Sequence, residues 1–149
     1  MRIDEVAWEH PASVSLRAAQ RAEIAERYGT PDSEPGPAPT GDDITAFFVA
    51  YDDSGTPLGC GGLRQLDEHE AEIKRMFVRT ESRGSGVSVG ILQRLEQYGR
   101  EKGWRRLVLE TGDGQPDALR FYTREGYERI PNFGHYADVA DSLCFAKAL

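Results

Sequence analysis

Residues 79–96 read RTESRGSGVSVGILQRLE, and this stretch places glycines directly in front of a helical pattern. The segment before it, AEIKRMFV at 71–78, is predicted to be a strand, and the helix is expected to begin near Gly84. The first turn of a helix leaves backbone N–H groups without partners, and the helix dipole adds positive potential there. Gly84 and Gly86 let the backbone approach a ligand closely, and Arg83 can add a charge-assisted bond to phosphate. The stretch therefore predicts a site for an anion.

The composition is that of an ordinary globular protein, with 39% hydrophobic and 29% charged residues among 149, and we expect one domain over 1–149. The net charge of -7 argues against nucleic acid or an anionic membrane as a partner, and mildly favours a cationic or amine-bearing one. No apolar run approaches the ~20 residues of a membrane span and no signal peptide is apparent, so a cytoplasmic protein is expected. Cys60 and Cys144 are predicted to be reduced core residues, and no histidine or cysteine spacing indicates a metal site.

The periodicity predicts two halves of different character on either side of the glycine turn. Before the turn we expect a strand, a helix, a proline-rich loop and two further strands, at 2–8, 13–29, 30–43, 44–52 and 56–67. Short turns join the strands of this half, which favours an antiparallel meander. After the turn we expect a helix to about Lys102, a strand, a helix and two strands, the last four at 105–110, 116–126, 127–130 and 142–149. The strand at 105–110 follows a helical crossover, so it is predicted to lie parallel to the strand at 71–78. The fold class is therefore α/β with a mixed sheet.

Three phosphate-binding designs compete for the glycine turn. A P-loop requires GxxxxGK[ST], and no lysine follows these glycines. A dinucleotide-binding turn is a stronger competitor, because Gly84, Gly86 and Gly90 resemble GxGxxxG and Glu110 ends the next strand. Against an NAD(P) oxidoreductase, the turn follows an antiparallel meander, and the roughly 40 residues after that strand are too few to complete a doubly wound sheet.

The third design is a family resemblance. ESRGSGVS resembles the acyl-CoA pyrophosphate loop of the GNAT superfamily of N-acyltransferases, whose pattern is Arg or Gln, two residues, Gly, one residue, and Gly or Ala. Ser88 stands at the last position and departs from the pattern, although it is still small. AEIKRMFV, LVLETG and PDALRFYTREGY resemble the family's fourth strand, its fifth strand, and the helix and strand that follow. The resemblance implies a mostly antiparallel sheet with a splayed parallel strand pair, flanked by about three to four helices.

The resemblance also implies acetyl-CoA as the cosubstrate. The pantetheine arm would lie between the two splayed strands, and the pyrophosphate would bind the turn. An amine would attack the thioester directly in a ternary complex, and the CoA thiolate would leave. The implied CoA-binding residues are Met76, Phe77, Val78, Arg83, Gly84, Ser85, Gly86, Val87, Ser88 and Gln115.

Two residues match catalytic positions of the family. Tyr122 matches a tyrosine that hydrogen-bonds or protonates the departing thiolate; its structural alternative is a packed core tyrosine, for which Phe121 is the better candidate. Glu72 matches a glutamate that serves as general base in the histone-acetylating branch. The strand period places Glu72 on one face with Lys74 and Met76, and the alternative is a carboxylate paired with Lys74.

Other roles stay open in the sequence. Glu110 or a water could be the base instead of Glu72. Tyr136, Tyr28 and the 30–43 loop could line the acceptor pocket, although for the loop a mobile surface segment is favoured. Arg75 could contact the CoA 3′-phosphate, but exposure to solvent is favoured.

The leading function is acetylation of a primary amine of a small molecule or peptide; the alternative is a non-catalytic acyl-CoA sensor. Edge strands near the C-terminus make a homodimer plausible.

Overall fold

Runs of β-branched and aromatic residues form seven strands, which make one sheet in the computed structural model of residues 1–149. The order across the sheet is β1-β2-β3-β4-β5-β7-β6. The strands are β1 (Arg2–Glu5), β2 (Ala46–Tyr51), β3 (Pro57–Gln65), β4 (Glu70–Val78), β5 (Arg106–Gly112), β6 (Glu128–Ile130) and β7 (Ser142–Ala148).

Three α-helices connect and cover the strands: α1 (Pro11–Tyr28), α2 (Val87–Lys102) and α3 (Pro116–Arg124). Short 3-10 turns cover Thr80–Ser82 and Gly134–Tyr136. Helix α2 begins at Val87, three residues later than predicted, because Gly86 has a left-handed conformation with φ of 86° and caps the helix. None of the helices is long and apolar enough to cross a membrane.

The topology confirms the predicted fold class. Strands β1 to β4 pair antiparallel in chain order, β5 lies parallel to β4, and β7 pairs antiparallel with both β5 and β6. Only one neighbouring pair is parallel, so the sheet is not the doubly wound parallel sheet of a dinucleotide-binding oxidoreductase.

Helices cover both faces of the sheet, which explains why β2 is buried along its whole length. On one face Ile91 of α2 belongs to a cluster with Phe48, and on the other face Leu16 of α1 belongs to a second cluster. Each such side chain, fully buried, contributes about 1.5–3 kcal/mol of hydrophobic stabilisation. Both Cys60 and Cys144 are free and buried, as predicted.

The two parallel strands separate after a short pairing, and this separation positions the site. Strands β4 and β5 pair only where Glu70–Glu72 face Arg106–Val108. Beyond that point β4 keeps its pairing with β3 and β5 keeps its pairing with β7. The result is a cleft between residues 73–78 of β4 and residues 109–112 of β5, which we call the strand cleft.

Candidate active site

The turn before α2 presents a row of free backbone amides. Gly84 and Gly86 have φ of 78° and 86°, and a Cβ on either would meet no atom within 4 Å. The first helical hydrogen bond runs from the Gly90 N–H to the Gly86 carbonyl at 3.0 Å. The N–H groups of residues 84–89 donate to no acceptor within the protein. Open backbone amides at the start of a 16-residue helix are able to bind an anion.

Arg83 ties this turn to the end of β4. Its Nε donates to the Val78 carbonyl at 2.9 Å, and its Nη2 donates to Glu23 of α1 at 2.8 Å. The hydrogen bond to Glu23 raises the pKa of Arg83, so the guanidinium stays charged. Ser85 is exposed and Ser88 is half-buried, so the small residues of the turn leave its outer side accessible.

Backbone groups of β4 line one side of the strand cleft. The Met76 carbonyl accepts a hydrogen bond from Gln20 Nε2 of α1 at 3.1 Å, and the Val78 carbonyl accepts the bond from the turn. Hydrogen bonding alternates between the two sides of a strand. Phe77 lies between these two residues, and its carbonyl points toward β3, where a Cβ added to Gly59 would meet it at 2.7 Å. The geometry thus favours Met76 and Val78 over Phe77 as backbone partners for a ligand in the cleft.

A β-bulge in β4 changes which side chains share a face. The register with β3 slips there, and Arg75 has a positive φ of 58°. An extra residue shifts every following side chain to the opposite face of the sheet. Met76 accordingly packs against the apolar cluster under α2. The prediction that Met76 shares a face with Glu72 and Lys74 was wrong, because strand alternation does not continue through the bulge.

Tyr122 lies inside the apolar cluster on the α2 side of the sheet. Its ring contacts those of Phe121 and Tyr127, with centroids 5.0 and 5.6 Å away. The same cluster contains Val87 of the turn and Leu109 of the strand cleft. Phe121 is half-buried whereas Tyr122 is buried, which reverses the expectation that Phe121 is the better core residue. Burial raises the pKa of Tyr122, so its phenol keeps its proton at neutral pH.

Glu72 is 1% exposed, and both of its carboxylate oxygens are engaged by protein donors. Oε1 accepts from Arg64 Nη2 at 2.8 Å, and Oε2 accepts from the Tyr136 hydroxyl at 2.7 Å. Lys74 Nζ lies 3.6 Å from Oε2 and donates to the Tyr136 oxygen at 3.0 Å. These contacts favour a structural carboxylate over a general base, which needs an oxygen within reach of a substrate proton. Tyr136 itself is buried.

The 30–43 loop packs onto the sheet beside these residues. Glu34 forms ion pairs with Lys74 and with Arg75. Burial opposes ionisation of Glu34, but the charges and hydrogen bonds of the two cations outweigh it and lower the pKa of this carboxyl. Pro39 is also buried. The favoured expectation of a solvated Arg75 was therefore wrong, and the loop contacts β4 through Glu34.

Glu110 lies on the β5 side of the strand cleft. Its Oε2 accepts a hydrogen bond from Ser142 Oγ at 2.6 Å, and its Oε1 makes no hydrogen bond within the protein. Leu109 belongs to the cluster under α2, so Glu110 faces the other side, as Glu72 does. Burial raises the pKa of Glu110. It is therefore a carboxyl of increased basicity, with one free oxygen, beside the cleft.

Two further predicted residues lie around the end of β5. Tyr28, at the end of α1, packs over Gly112 and Gly114, where an added Cβ would approach its hydroxyl to 3.0 and 3.1 Å. The Tyr28 hydroxyl is buried without a hydrogen-bond partner. Gln115 is half-buried. It occupies the N-cap position of α3, and its side chain makes no capping hydrogen bond.

Sequence reasoning missed three residues of this region: Gln20, Glu34 and Arg64. Gln20 contacts Met76 across 56 positions, and Glu34 contacts Lys74 across 40. In the sequence Gln20 is an ordinary polar helix position and Glu34 a loop residue among prolines. No local pattern identifies either, because each acts through a contact that exists only in the folded chain.

Comparison with known proteins gives one result at both the sequence and the fold level. The model of the Acetyltransferase (GNAT) family matches residues 12–127. The IAA acetyltransferase of Azospirillum brasilense is 34% identical over 103 residues, which are 68% of this chain and 67% of that protein.

Two solved structures share the fold. A Klebsiella pneumoniae subsp. pneumoniae MGH 78578 protein, provisionally named an acyl-CoA N-acyltransferase, superposes with a TM-score of 0.84 at 27% identity, over 99% of this chain and 97% of that one. A GNAT acetyltransferase from Elizabethkingia anophelis with acetyl-CoA bound superposes with a TM-score of 0.74 at 16% identity, again over 99% and 97%. These comparisons lend no support to a non-catalytic binding module. The chain belongs to the GNAT family of N-acetyltransferases and is an acyltransferase enzyme.

Proposed function

We propose that this protein transfers the acetyl group of acetyl-CoA to a primary amine of a small molecule or peptide. The observation that carries the proposal is the strand cleft, which opens directly beside the row of free amides at residues 84–89. The CoA diphosphate binds those amides, and Arg83 adds a positive charge. The pantetheine arm lies in the cleft along the backbone of Met76 and Val78, and Gln115 flanks it. Acetyl-CoA supplies the acetyl group as a thioester.

Tyr122 is the proton donor to the departing sulfur. It belongs to the same apolar cluster as residues of the turn and of β5. A phenol is protonated at neutral pH, and burial raises the pKa of Tyr122 further, so the side chain carries the proton that the developing thiolate takes up. An apolar setting also strengthens a hydrogen bond to developing negative charge.

Glu110 is the proton acceptor for the attacking amine, directly or through a water. A free alkyl ammonium has a pKa of about 10, so the amine must lose a proton before it attacks. Both oxygens of Glu72 are occupied by Arg64 and Tyr136, whereas Glu110 keeps one free oxygen. The raised pKa of Glu110 makes it a better base than an exposed carboxylate. We therefore assign the base to Glu110 and give Glu72 a positioning role toward Tyr136 and Lys74.

The direct test combines binding and turnover. Calorimetry should detect acetyl-CoA binding, and a panel of primary amines should release free CoA thiol only when both substrates are present. Acetyl-CoA binding without amine-dependent CoA release from any member would leave only a binding module. No binding at all would remove the proposed role of the cleft and the turn.

A further inference from the structure

We propose that the acceptor amine also carries a carboxylate, and that Lys74 and Arg75 bind this carboxylate in the place that Glu34 occupies in the structure. The inference rests on the proposed function, because it names the class of acceptor for the same site. It begins from a feature that acetyl transfer alone does not require, namely two cations held beside the strand cleft by a carboxylate from a loop.

The cations sit where an acceptor must lie. Lys74 and Arg75 follow Glu72, the last residue of β4 that pairs with β5. Their side chains are only 5% and 18% exposed. Glu34 is the one acidic partner of Arg75, whereas Lys74 also lies 3.6 Å from Glu72 and 3.0 Å from the Tyr136 hydroxyl. Without Glu34, Arg75 would have no counter-charge.

The segment that carries Glu34 is held weakly by its own backbone. Residues 30–39 make no backbone–backbone hydrogen bond. Their remaining anchors are side-chain contacts, such as the exposed Arg21–Asp32 pair and the packing of Gly36 against His135. A segment without backbone bonding opens at low cost.

The charges decide what can replace Glu34. Removing one partner of a largely buried ion pair is strongly unfavourable because the remaining charge is left without compensation. Glu34 therefore leaves the cations readily only when another anion takes its place. A second cation, such as a simple ammonium ion, cannot do so. The contacts of Glu34 themselves show that a carboxylate fits both cations, and a planar carboxylate suits the guanidinium of Arg75.

The same geometry places the amine. Glu110 lies on the facing strand of the cleft and on the same face of the sheet as Glu72. A carboxylate bound at Lys74 and Arg75 would hold an amine a few bonds away between these cations and Glu110. The overall charge of -7 suggested a cationic acceptor. The local charge instead selects an acceptor with an anionic group.

The test uses pairs of acceptors that differ only in the carboxylate. Amino acids of varied side chain, β-alanine and dipeptides are each compared with their C-terminal amides, with acetyl-CoA as the donor. The carboxylate member of a productive pair should have a kcat/KM about tenfold or more above that of its amide, the effect expected of a charged hydrogen bond. The amine of the amide is less basic and is therefore less protonated at neutral pH. Intrinsic reactivity thus favours the amide and works against the expected preference for the carboxylate member.

Two variants separate recognition from structure. Arg75→Gln should raise KM for carboxylate members about tenfold and change the KM of amides less than twofold. Glu34→Gln removes the competing carboxylate, so it should lower KM for carboxylate members. Arg21→Gln is the matched control, because it loosens the same loop through Asp32 without touching either cation. If Arg75 and Glu34 had a purely structural role, the variants would change KM for acids and for amides by the same factor.

The failures of the two proposals are distinguishable. If acetyl-CoA binds and amides match or exceed acids in turnover, the acceptor inference is overturned and acetyl transfer stands. If no amine is turned over, acetyl transfer fails, and the acceptor site is judged by melting temperature. If acids raise the melting temperature of Glu34→Gln more than their amides do, the carboxylate site is supported. Equal shifts in melting temperature overturn the acceptor inference.

Discussion

At the scale of single residues, the proposed acid and base lie on opposite faces of one sheet. Tyr122 belongs to the cluster on the α2 side, and Glu110 faces the side covered by α1 and the 30–43 loop. A thioester in the strand cleft would lie between them. A proton can therefore be taken from the amine on one side while another is delivered to sulfur on the other.

Tyr122→Phe should lower kcat about 10²-fold, because the departing thiolate loses its proton donor. Acetyl-CoA affinity should stay within twofold, since the phenyl ring preserves the packing. Steady-state kinetics and calorimetry measure the two quantities. The control is Tyr98→Phe, at a half-buried tyrosine that packs against Phe48 and Trp104; it should leave kcat unchanged. An unchanged kcat in Tyr122→Phe would remove the role assigned here.

Glu110→Gln should remove the acid limb of the pH–rate profile. A base works only when it is deprotonated, so activity falls as the pH drops through its pKa. Burial raises the pKa of Glu110, which places this fall above the range of an exposed carboxylate. The variant should lose about 10²-fold in kcat. An acid limb that persists unchanged in Glu110→Gln would assign the base to another group or to water.

At the scale of elements, the turn before α2 works through conformation as well as charge. Gly86→Asp should abolish acetyl-CoA binding, because it adds bulk and negative charge where the diphosphate binds. The positive φ should also cost about 1 kcal/mol of stability. Gly55→Asp is the matched control, since Gly55 has a φ of 82° and equally open surroundings in the β2–β3 turn. Both variants should lose similar stability in urea unfolding, and only Gly86→Asp should lose binding. Normal binding by a folded Gly86→Asp would refute the assignment of the turn.

At the scale of the whole molecule, local sequence patterns were sufficient to predict the order of the elements and the mixed sheet. Alternation and helix spacing depend on neighbours in sequence, which the sequence displays directly. The bulge at Arg75 has no such local pattern. The face of the sheet on which Met76 lies was therefore predicted wrongly. The contacts of Glu34 and Tyr136 were unpredictable for the same reason, because their partners lie 40 or more positions away. The proposed acid and anion sites correspond to motifs in the sequence, whereas the proposed acceptor site depends on contacts that exist only in the fold.

The ion pairs of Glu34 should also appear in the acid stability of the whole protein. The folded pKa of Glu34 lies below its ordinary value of 4.5. Its contribution is therefore fully present above about pH 4.5 and is lost as the pH falls through the folded value. Urea unfolding should show wild type more stable than Glu34→Gln by about 2 kcal/mol at pH 7. This difference should shrink in acid. A difference independent of pH would contradict the ion pairs.

The central claim is that free amides before α2 and the separation of β4 from β5 together hold acetyl-CoA. A crystal structure with acetyl-CoA tests it most directly. The account predicts the diphosphate against the amides of residues 84–88 and the pantetheine between Met76, Val78 and β5. A diphosphate bound elsewhere, or β4 and β5 hydrogen-bonded to each other along residues 73–78, would contradict it.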